Sequence, residues 1–345
     1  MSAEPLFVSV VVPCRNEFHY IAACLDSILS SAYPADRIEI LVVDGRSNDG
    51  TRAIVEDYAD RCPGVRLIDN PKGITPVALN MGIRAARGDI VVRMDVHVVY
   101  PPEYIPRLVA ALQTSEADNV GAVLVTRPAS DKPMARAIAV ALSHPFGVGN
   151  SYFRIGVTAP RWVDTVAFFC CRRSLFHRIG MFDEELVRHQ DGEFNARLIG
   201  HGGRILLLPD VRAYYYARGS LQQVSRMYFQ YGYFKPLVAR KLGRIMTLRQ
   251  MVPPLFVVSL VASALAGIWL PAAAALSAGI AGMYGALIAA CSISAARRHG
   301  AKCAAALAVV FPVLHVSYGL GFLRRLVELV AMPRAQRPAE LPLSR

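Results

Sequence analysis

Residues 250–296 contain no Asp, Glu, Lys or Arg, a stretch long enough for two apolar helices to cross a bilayer in succession. Pro271 stands where the chain would turn between them. Residues 303–323 form a further run of spanning length in which His315 is the sole ionisable group. Arg240, Lys241, Arg244 and Arg249 precede the first run, and Arg297, Arg298, His299 and Lys302 follow the second. The positive-inside rule puts both clusters on the cytoplasmic face, which agrees with two spans between them. A third span would carry Arg324, Arg325, Arg334 and Arg337 to the far side against the same rule, so for 303–323 spanning, re-entry and lying flat stay open.

The first residues, MSAEPLFVSVVVPCRNE, lack a basic leader and pass from a strand-length apolar stretch straight into a loop. The expectation is a multi-pass protein of the inner (plasma) membrane with a cytoplasmic head over 1–245, in which 218–249 is an interfacial amphipathic region. A membrane region of two to three helices over 250–323 and a basic tail over 324–345 complete it. The net charge of +12 gathers beside the apolar runs, where anionic lipid headgroups account for it, and no interleaving of aromatic and basic residues points to nucleic acid. The seven cysteines include no C-x-x-C pair and no zinc-like spacing to histidine.

Apolar periodicity in the head predicts strands at 7–12, 39–43, 65–68, 90–94 and 120–125, alternating with helices near 17–30, 49–60 and 74–86 and from about 103. Short strands apolar throughout call for an α/β fold with a mostly parallel sheet covered by helices on both faces. Neither G-x-G-x-x-G nor G-x-x-x-x-G-K-[ST] occurs at a strand-to-helix turn, so a nucleotide would be held by other means.

Ligands of such sheets sit beyond the carboxyl ends of the strands, and polar residues gather at three of those ends. VVPCRNE supplies Pro13, Arg15, Asn16 and Glu17. LVVDGRSNDGT places Asp44 at a strand end, where its carboxylate can accept from the imide N–H of a uracil, while Asn48 or Asp49 caps the next helix. GDIVVRMDVHVVYPP places Asp95 and His97 together, two ligands able to share one cation, or else a capped turn. Lys72 and Arg93 can meet phosphate as cations. Asp191 begins the helical stretch 191–199, as a first-turn acid favoured by the helix dipole or as a general base. Asp164, Glu193 and Gln230 are candidates for contact with an acceptor, and Arg197 for a salt bridge or a base-orienting role. The aromatic and basic helix carrying Tyr228, Phe229, Tyr231, Tyr233 and Phe234 either lies at the membrane interface or packs against the sheet.

Taken in order, VVVPCRNE, VVDGRSNDGT, NPKGITPVALNMGIRAARGDIVVRMD and FDEELVRHQDGEFNARL resemble an inverting family 2 glycosyltransferase of the GT-A fold. HPFGVGNSYFRIG, VDTVAFFCCRRSLFHRIGMFDEEL and QYGYFKP are similar to the ExoA-like branch, which serves succinoglycan and related exopolysaccharide synthesis. The resemblance implies a nucleotide-diphospho-sugar transferase fold with the nucleobase held at Asp44, and Pro13, Arg15, Glu17, Lys72 and Arg93 join it as candidate donor contacts from their places in the sequence. It further implies Mg²⁺ or Mn²⁺ at Asp95 and His97 and the general base at Asp191. The chain departs from the common pattern at Gly45, where a second acid is frequent, at His97 in place of Asp, and at Gln190 in place of Glu. Gln230 is followed by Tyr231 and Gly232 rather than by the Q-x-x-R-W of processive synthases, which implies addition of one sugar.

The expected activity is transfer of one hexose from a UDP-sugar, UDP-glucose, to a lipid-linked saccharide, with membrane lipids and polysaccharide-assembly proteins as partners and no nucleic acid. Two readings compete with it: a polyprenyl-phosphate glycosyltransferase of the dolichol-phosphate-mannose-synthase type, and a non-catalytic nucleotide-sugar-binding scaffold. A nucleotidyltransferase is disfavoured by the lack of a glycine-rich basic phosphate loop near the amino terminus.

Overall fold

The computed structural model describes residues 4–244 and 247–331; Arg334 and Arg337 of the expected basic tail lie outside them. Two compact units result: residues 1–125 with 151–216, and residues 126–150 with 217–345. This division differs from the expected boundary at 245, because residues 126–150 and the Leu221–Leu242 helix pack with the carboxyl-terminal helices.

The first unit is built on β1 (Val8–Cys14), β2 (Ile38–Asp44), β3 (Val65–Asp69), β4 (Ile90–Arg93), β5 (Val98–Val99), β6 (Asn119–Arg127), β7 (Arg161–Trp162), β8 (Cys170–Arg172) and β9 (Ile205–Tyr216). They form one sheet in the order β3-β2-β1-β4-β8-β6-β9-β5, with β7 pairing β9. The first four strands in that order are parallel, joined by helices Ile21–Leu29, Thr51–Arg61 and Thr75–Ala85. β8 then enters antiparallel between β4 and β6, so the sheet is mixed.

The continuous apolar runs of β1 and β2 are buried on both faces, as a helix-covered parallel sheet requires. Glu39 within β2 is charged yet fully buried, held by Ser9 Oγ at 2.6 Å, the Arg87 N–H at 2.7 Å and the Arg66 guanidinium at 3.2 Å. Those bonds hold its carboxyl below the usual range against the cost of burial. Beneath the sheet, Phe169, Phe176, Phe182 and Phe194 form a ring cluster, with Phe182 stacked on Phe194 at 4.6 Å. It seats the Gln190–Gly200 helix on the core, and that helix carries Asp191.

In the second unit, Leu248–Ala266, Pro271–His299 and Ala301–Ala331 are long and apolar enough to cross a membrane. The second begins at Pro271, the expected turning point, because proline's fixed φ and missing N–H suit the first helical turn. Residues 303–323 lie wholly inside the third. His315 has both ring nitrogens satisfied there, at 2.8 Å from the Tyr284 hydroxyl and 2.8 Å from the Phe146 carbonyl, which explains an ionisable group in an apolar helix. The aromatic helix Leu221–Leu242 packs against Ala301–Ala331, burying Tyr228, Tyr233 and Phe234.

Where these two helices cross, a Cβ on Gly232 would run into the Tyr318 carbonyl, and one on Gly321 into the Phe229 carbonyl. Nearby, Tyr233 donates to Glu328 at 2.5 Å, and Arg324 and Arg325 reach the same carboxylate at 3.0 and 3.2 Å. Because the opposing atoms are backbone, Gly232→Ala and Gly321→Ala should each cost about 1–3 kcal/mol through forced separation of the helices. The check is the thermal midpoint in detergent, where both variants should melt below the wild type and Gly279→Ala, which meets nothing, should not.

Candidate active site

β1 lies between β2 and β4, so the loops that follow Cys14, Asp44 and Arg93 open side by side at one edge of the parallel half. The first two are stitched together. The Asn16 N–H donates to Ser47 Oγ at 2.7 Å and the Asn48 N–H to Asn16 Oδ1 at 2.9 Å. Asn16 (φ 52) and Arg46 (φ 58) are left-handed there, and the third described non-glycine residue of this kind is His189 (φ 63), two before Asp191. Strained backbone of this sort gathers at functional sites, because only a tightly determined surrounding sustains it.

Asp44 is fully buried, and each carboxylate oxygen accepts from Ser47: Oδ2 from its N–H at 3.0 Å and Oδ1 from its hydroxyl at 2.5 Å. Arg52 stands 3.7 Å away. The acid thus shapes its own turn, and each oxygen keeps a lone pair for a further donor. Asp49 accepts from the Thr51 N–H at 3.1 Å and the Phe18 N–H at 3.2 Å, the expected capping role, and these bonds hold its carboxyl below the ordinary range despite the cost of burial. A Cβ at Gly45 would lie 3.0 Å from both Arg15 Cδ and Gly73 Cα, so a second acid there would be crowded. Arg15 crosses that gap to donate to the Gly73 carbonyl at 3.2 Å, and Pro13 is paired with Val43 inside the sheet.

The centre of the arrangement is Arg93. Its side chain is 5% exposed, Nε donates to Asp95 Oδ1 at 2.7 Å, Nη2 to Asp95 Oδ2 at 3.0 Å, and Nη1 to Asp191 Oδ1. One guanidinium therefore holds two acids that are remote in sequence. Burial raises the Asp191 carboxyl to about 6, with Arg93 opposing the rise and the Asp95 charge adding to it. Tyr100 fixes the Asp95 backbone, its hydroxyl accepting the Asp95 N–H at 2.6 Å. His97, partly exposed, packs edge-on against Tyr215 at 5.3 Å, and its Nδ1 lies 4.0 Å from Glu17 Oε1. Glu17 is the link between the two halves. Its charge bears on Cys14 together with that of Asp44, and on Cys24 together with that of Asp95, after burial as the main cause that pushes both thiols up.

Two expected site residues are placed otherwise. Arg93, read as a phosphate cation, is occupied by the two acids. Glu193, read as an acceptor contact, is buried in a two-point ion pair with Arg197 at 2.7 and 2.9 Å, and Arg197 ties the helix to the carbonyls of Ile179 and Met181. Gln230 is buried in the Leu221–Leu242 helix. Lys72 is exposed and paired to Glu184 at 2.9 Å, a carboxyl lowered first by that bond. Asp164 is half-buried beside Thr165, whose hydroxyl accepts from Asn195 at 3.0 Å.

Sequence reasoning missed Tyr100, Asn119 and Asn195. Asn195 accepts from Asn119 at 3.0 Å and donates to the Val166 carbonyl at 3.1 Å, joining the Asp191 helix to β6 and to the Asp164 loop. The available signal for Asn195 was its place one turn after Asp191, on the helix's inward face.

The family model "Glycosyl transferase family 2" matches residues 9–180. The chain is 30% identical over 331 residues to the succinoglycan biosynthesis protein ExoA of Rhizobium meliloti, covering 92% of this chain and 94% of that one. It is 32% identical over 189 residues to the undecaprenyl-phosphate 4-deoxy-4-formamido-L-arabinose transferase of Pseudomonas savastanoi, covering 53% of this chain and 55% of that one. Among solved structures, the mannosyltransferase PcManGT of Pyrobaculum calidifontis, in complex with GDP-Man and Mn²⁺, superposes with a TM-score of 0.59 at 23% identity, covering 93% of this chain and 88% of that one. The fold is that of GT-A transferases, and the chain is a glycosyltransferase. It belongs to glycosyltransferase family 2.

Arg93→Gln should destabilise the protein by about 1–3 kcal/mol, because it leaves two partly buried acids without their cation. Since Arg93 lowers the Asp191 carboxyl, its loss should move that titration upward from about 6. Carboxyl-carbon NMR of the two proteins reads the shift.

Proposed function

We propose that the protein is a membrane-anchored, metal-dependent, inverting transferase that moves a single hexose from UDP-glucose to a lipid-linked saccharide at the cytoplasmic face of the inner membrane, in exopolysaccharide or other cell-surface glycan synthesis. The head over 1–245 carries the reaction and the apolar helices hold it beside its acceptor. The observation that carries this reading is the Arg93-held pair of Asp95 and Asp191 at the carboxyl edge of the parallel strands, in a family 2 chain. Two relatives support the setting: one is a succinoglycan biosynthesis protein and another an undecaprenyl-phosphate 4-deoxy-4-formamido-L-arabinose transferase.

Asp191 takes the role of general base. A carboxyl raised to about 6 is ionised at neutral pH yet more basic than an ordinary one, so it suits removal of a proton from the incoming hydroxyl. Arg93 orients it. Asp44 receives the base of the nucleotide, with Pro13, Arg15 and Glu17 lining the same edge and Lys72 near the diphosphate.

The residues fit a divalent cation shared with a diphosphate. No group of three or more metal-binding side chains occurs among the described residues, and a cation of this class is commonly held by one or two protein ligands with phosphate oxygens completing the shell. Asp95 keeps a lone pair on each oxygen beyond its bonds to Arg93, and His97 is partly exposed. Mn²⁺ accompanies GDP-Man in the mannosyltransferase of similar fold. When bound, the cation would neutralise charge on the leaving diphosphate.

A polyprenyl-phosphate acceptor is the second reading, favoured by the undecaprenyl-phosphate relative. Product analysis on lipid phosphate against lipid-linked saccharide separates the two.

Asp191→Asn should lower kcat by about 10²–10⁴ while leaving the affinity for UDP within a few-fold. In the wild type, kcat/KM should rise with pH through about 6 and then level, since the ionised carboxylate is the active form; full activity of the variant removes the assignment. Calorimetry should show Mn²⁺ binding weakly alone and tightly with UDP-glucose. Tight binding of the metal without the nucleotide would contradict a cation held mainly by phosphate.

A further inference from the structure

Arg154 is a residue for which the fold offers no use. It sits on the short helix Tyr152–Ile155, in the first unit. Nη1 is buried without a hydrogen-bond partner, and among the described residues the guanidinium meets only two aromatic faces, Phe153 at 5.5 Å and Tyr215 at 5.7 Å. Tyr215 is the ring that packs edge-on against His97. Arg154 is therefore one aromatic side chain away from a proposed metal ligand.

Burying a guanidinium nitrogen without a partner is costly, and a native chain keeps such a group where something else satisfies it. Other arginines of this unit illustrate the contrast: Arg93 holds two carboxylates and Arg197 holds one carboxylate and two carbonyls. Tyr215 and Phe153 hold the cation by their faces, which leaves its N–H edges free for an anion. The anion that such a fork recognises, beside a site that handles a sugar diphosphate, is a phosphate.

We propose that Arg154 is a phosphate-binding residue of this site, taking a phosphate group of either the nucleotide donor or the lipid-borne acceptor. The assignment rests on the transferase reading for its substrates. It gives the FRIG segment a task that Arg93, committed to Asp95 and Asp191, does not perform.

The test uses the full-length protein in detergent and two probes: UDP with Mn²⁺, and farnesyl diphosphate in mixed micelles. Arg154→Gln should weaken one probe by roughly 30-fold or more, the loss of a charged, forked contact, with its thermal midpoint unchanged. Arg154→Lys, which keeps the charge without the fork, should fall between. A loss confined to UDP assigns the donor diphosphate, a loss confined to farnesyl diphosphate assigns the acceptor, and either supports the proposal. Wild-type affinity of the Gln variant for both probes overturns it, as does a wild-type protein that binds neither; should the Gln variant fail to fold, the Lys variant with unchanged affinities does the same. If the probes bind through Arg154 yet no glucose is transferred from UDP-glucose, the donor assignment falls and Arg154 stands.

Discussion

The arrangement turns on one buried guanidinium. Asp95 and Asp191 come from opposite ends of the head's sequence, one from the end of β4 and the other from the start of a helix seated on phenylalanines. Two carboxylates in a partly desolvated place repel, and without a cation between them one would protonate or the helix would withdraw. Arg93 removes that conflict with one side chain, chelating Asp95 through two nitrogens and meeting Asp191 with the third. Its position, as the last residue of a buried strand, makes the geometry rigid on one side. The aromatic cluster beneath Phe194 makes it rigid on the other.

Much of the head was legible in its pattern of apolar runs. Strands buried on both faces leave a signature that needs no partner to recognise, and β1, β2, β3 and β4 fall within a residue or two of the expected places. What could not be read was the antiparallel insertion: β8 has three residues, too few to show a period, and it supplies the pair Cys170 and Cys171 to the seam between β4 and β6. The site followed the same logic. Asp44, Asp95 and Asp191 stand out because strand ends and helix starts are positions a sequence shows. Arg93 looked like a free cation because only the tertiary structure brings Asp191 to it, whereas Glu193 meets Arg197 one helical turn away, a pairing that the sequence spacing itself offers.

The departures from the family pattern now have different physical standing. Gly45 stands in a crowded place, with Arg15 and the Gly73 loop 3.0 Å from where a Cβ would lie. Gln190 is buried at the start of the Asp191 helix, where a neutral amide avoids a third negative charge beside two acids that already share one cation. His97 keeps its ring against Tyr215 and within reach of Glu17, an arrangement that a shorter acid would not reproduce.

The glycine crossing of Leu221–Leu242 with Ala301–Ala331 bears on how the chain can be shortened. Removing the last helix to obtain a water-soluble fragment would strip away more than an anchor, because Tyr233 would lose Glu328, and the face around Gly232 would be left bare. The aromatic segment that begins before the first apolar run is thus half of a folded pair whose other half is encoded near the end. Ending the chain before Leu221 would likewise uncover residues 126–150, which belong to the same unit as those helices.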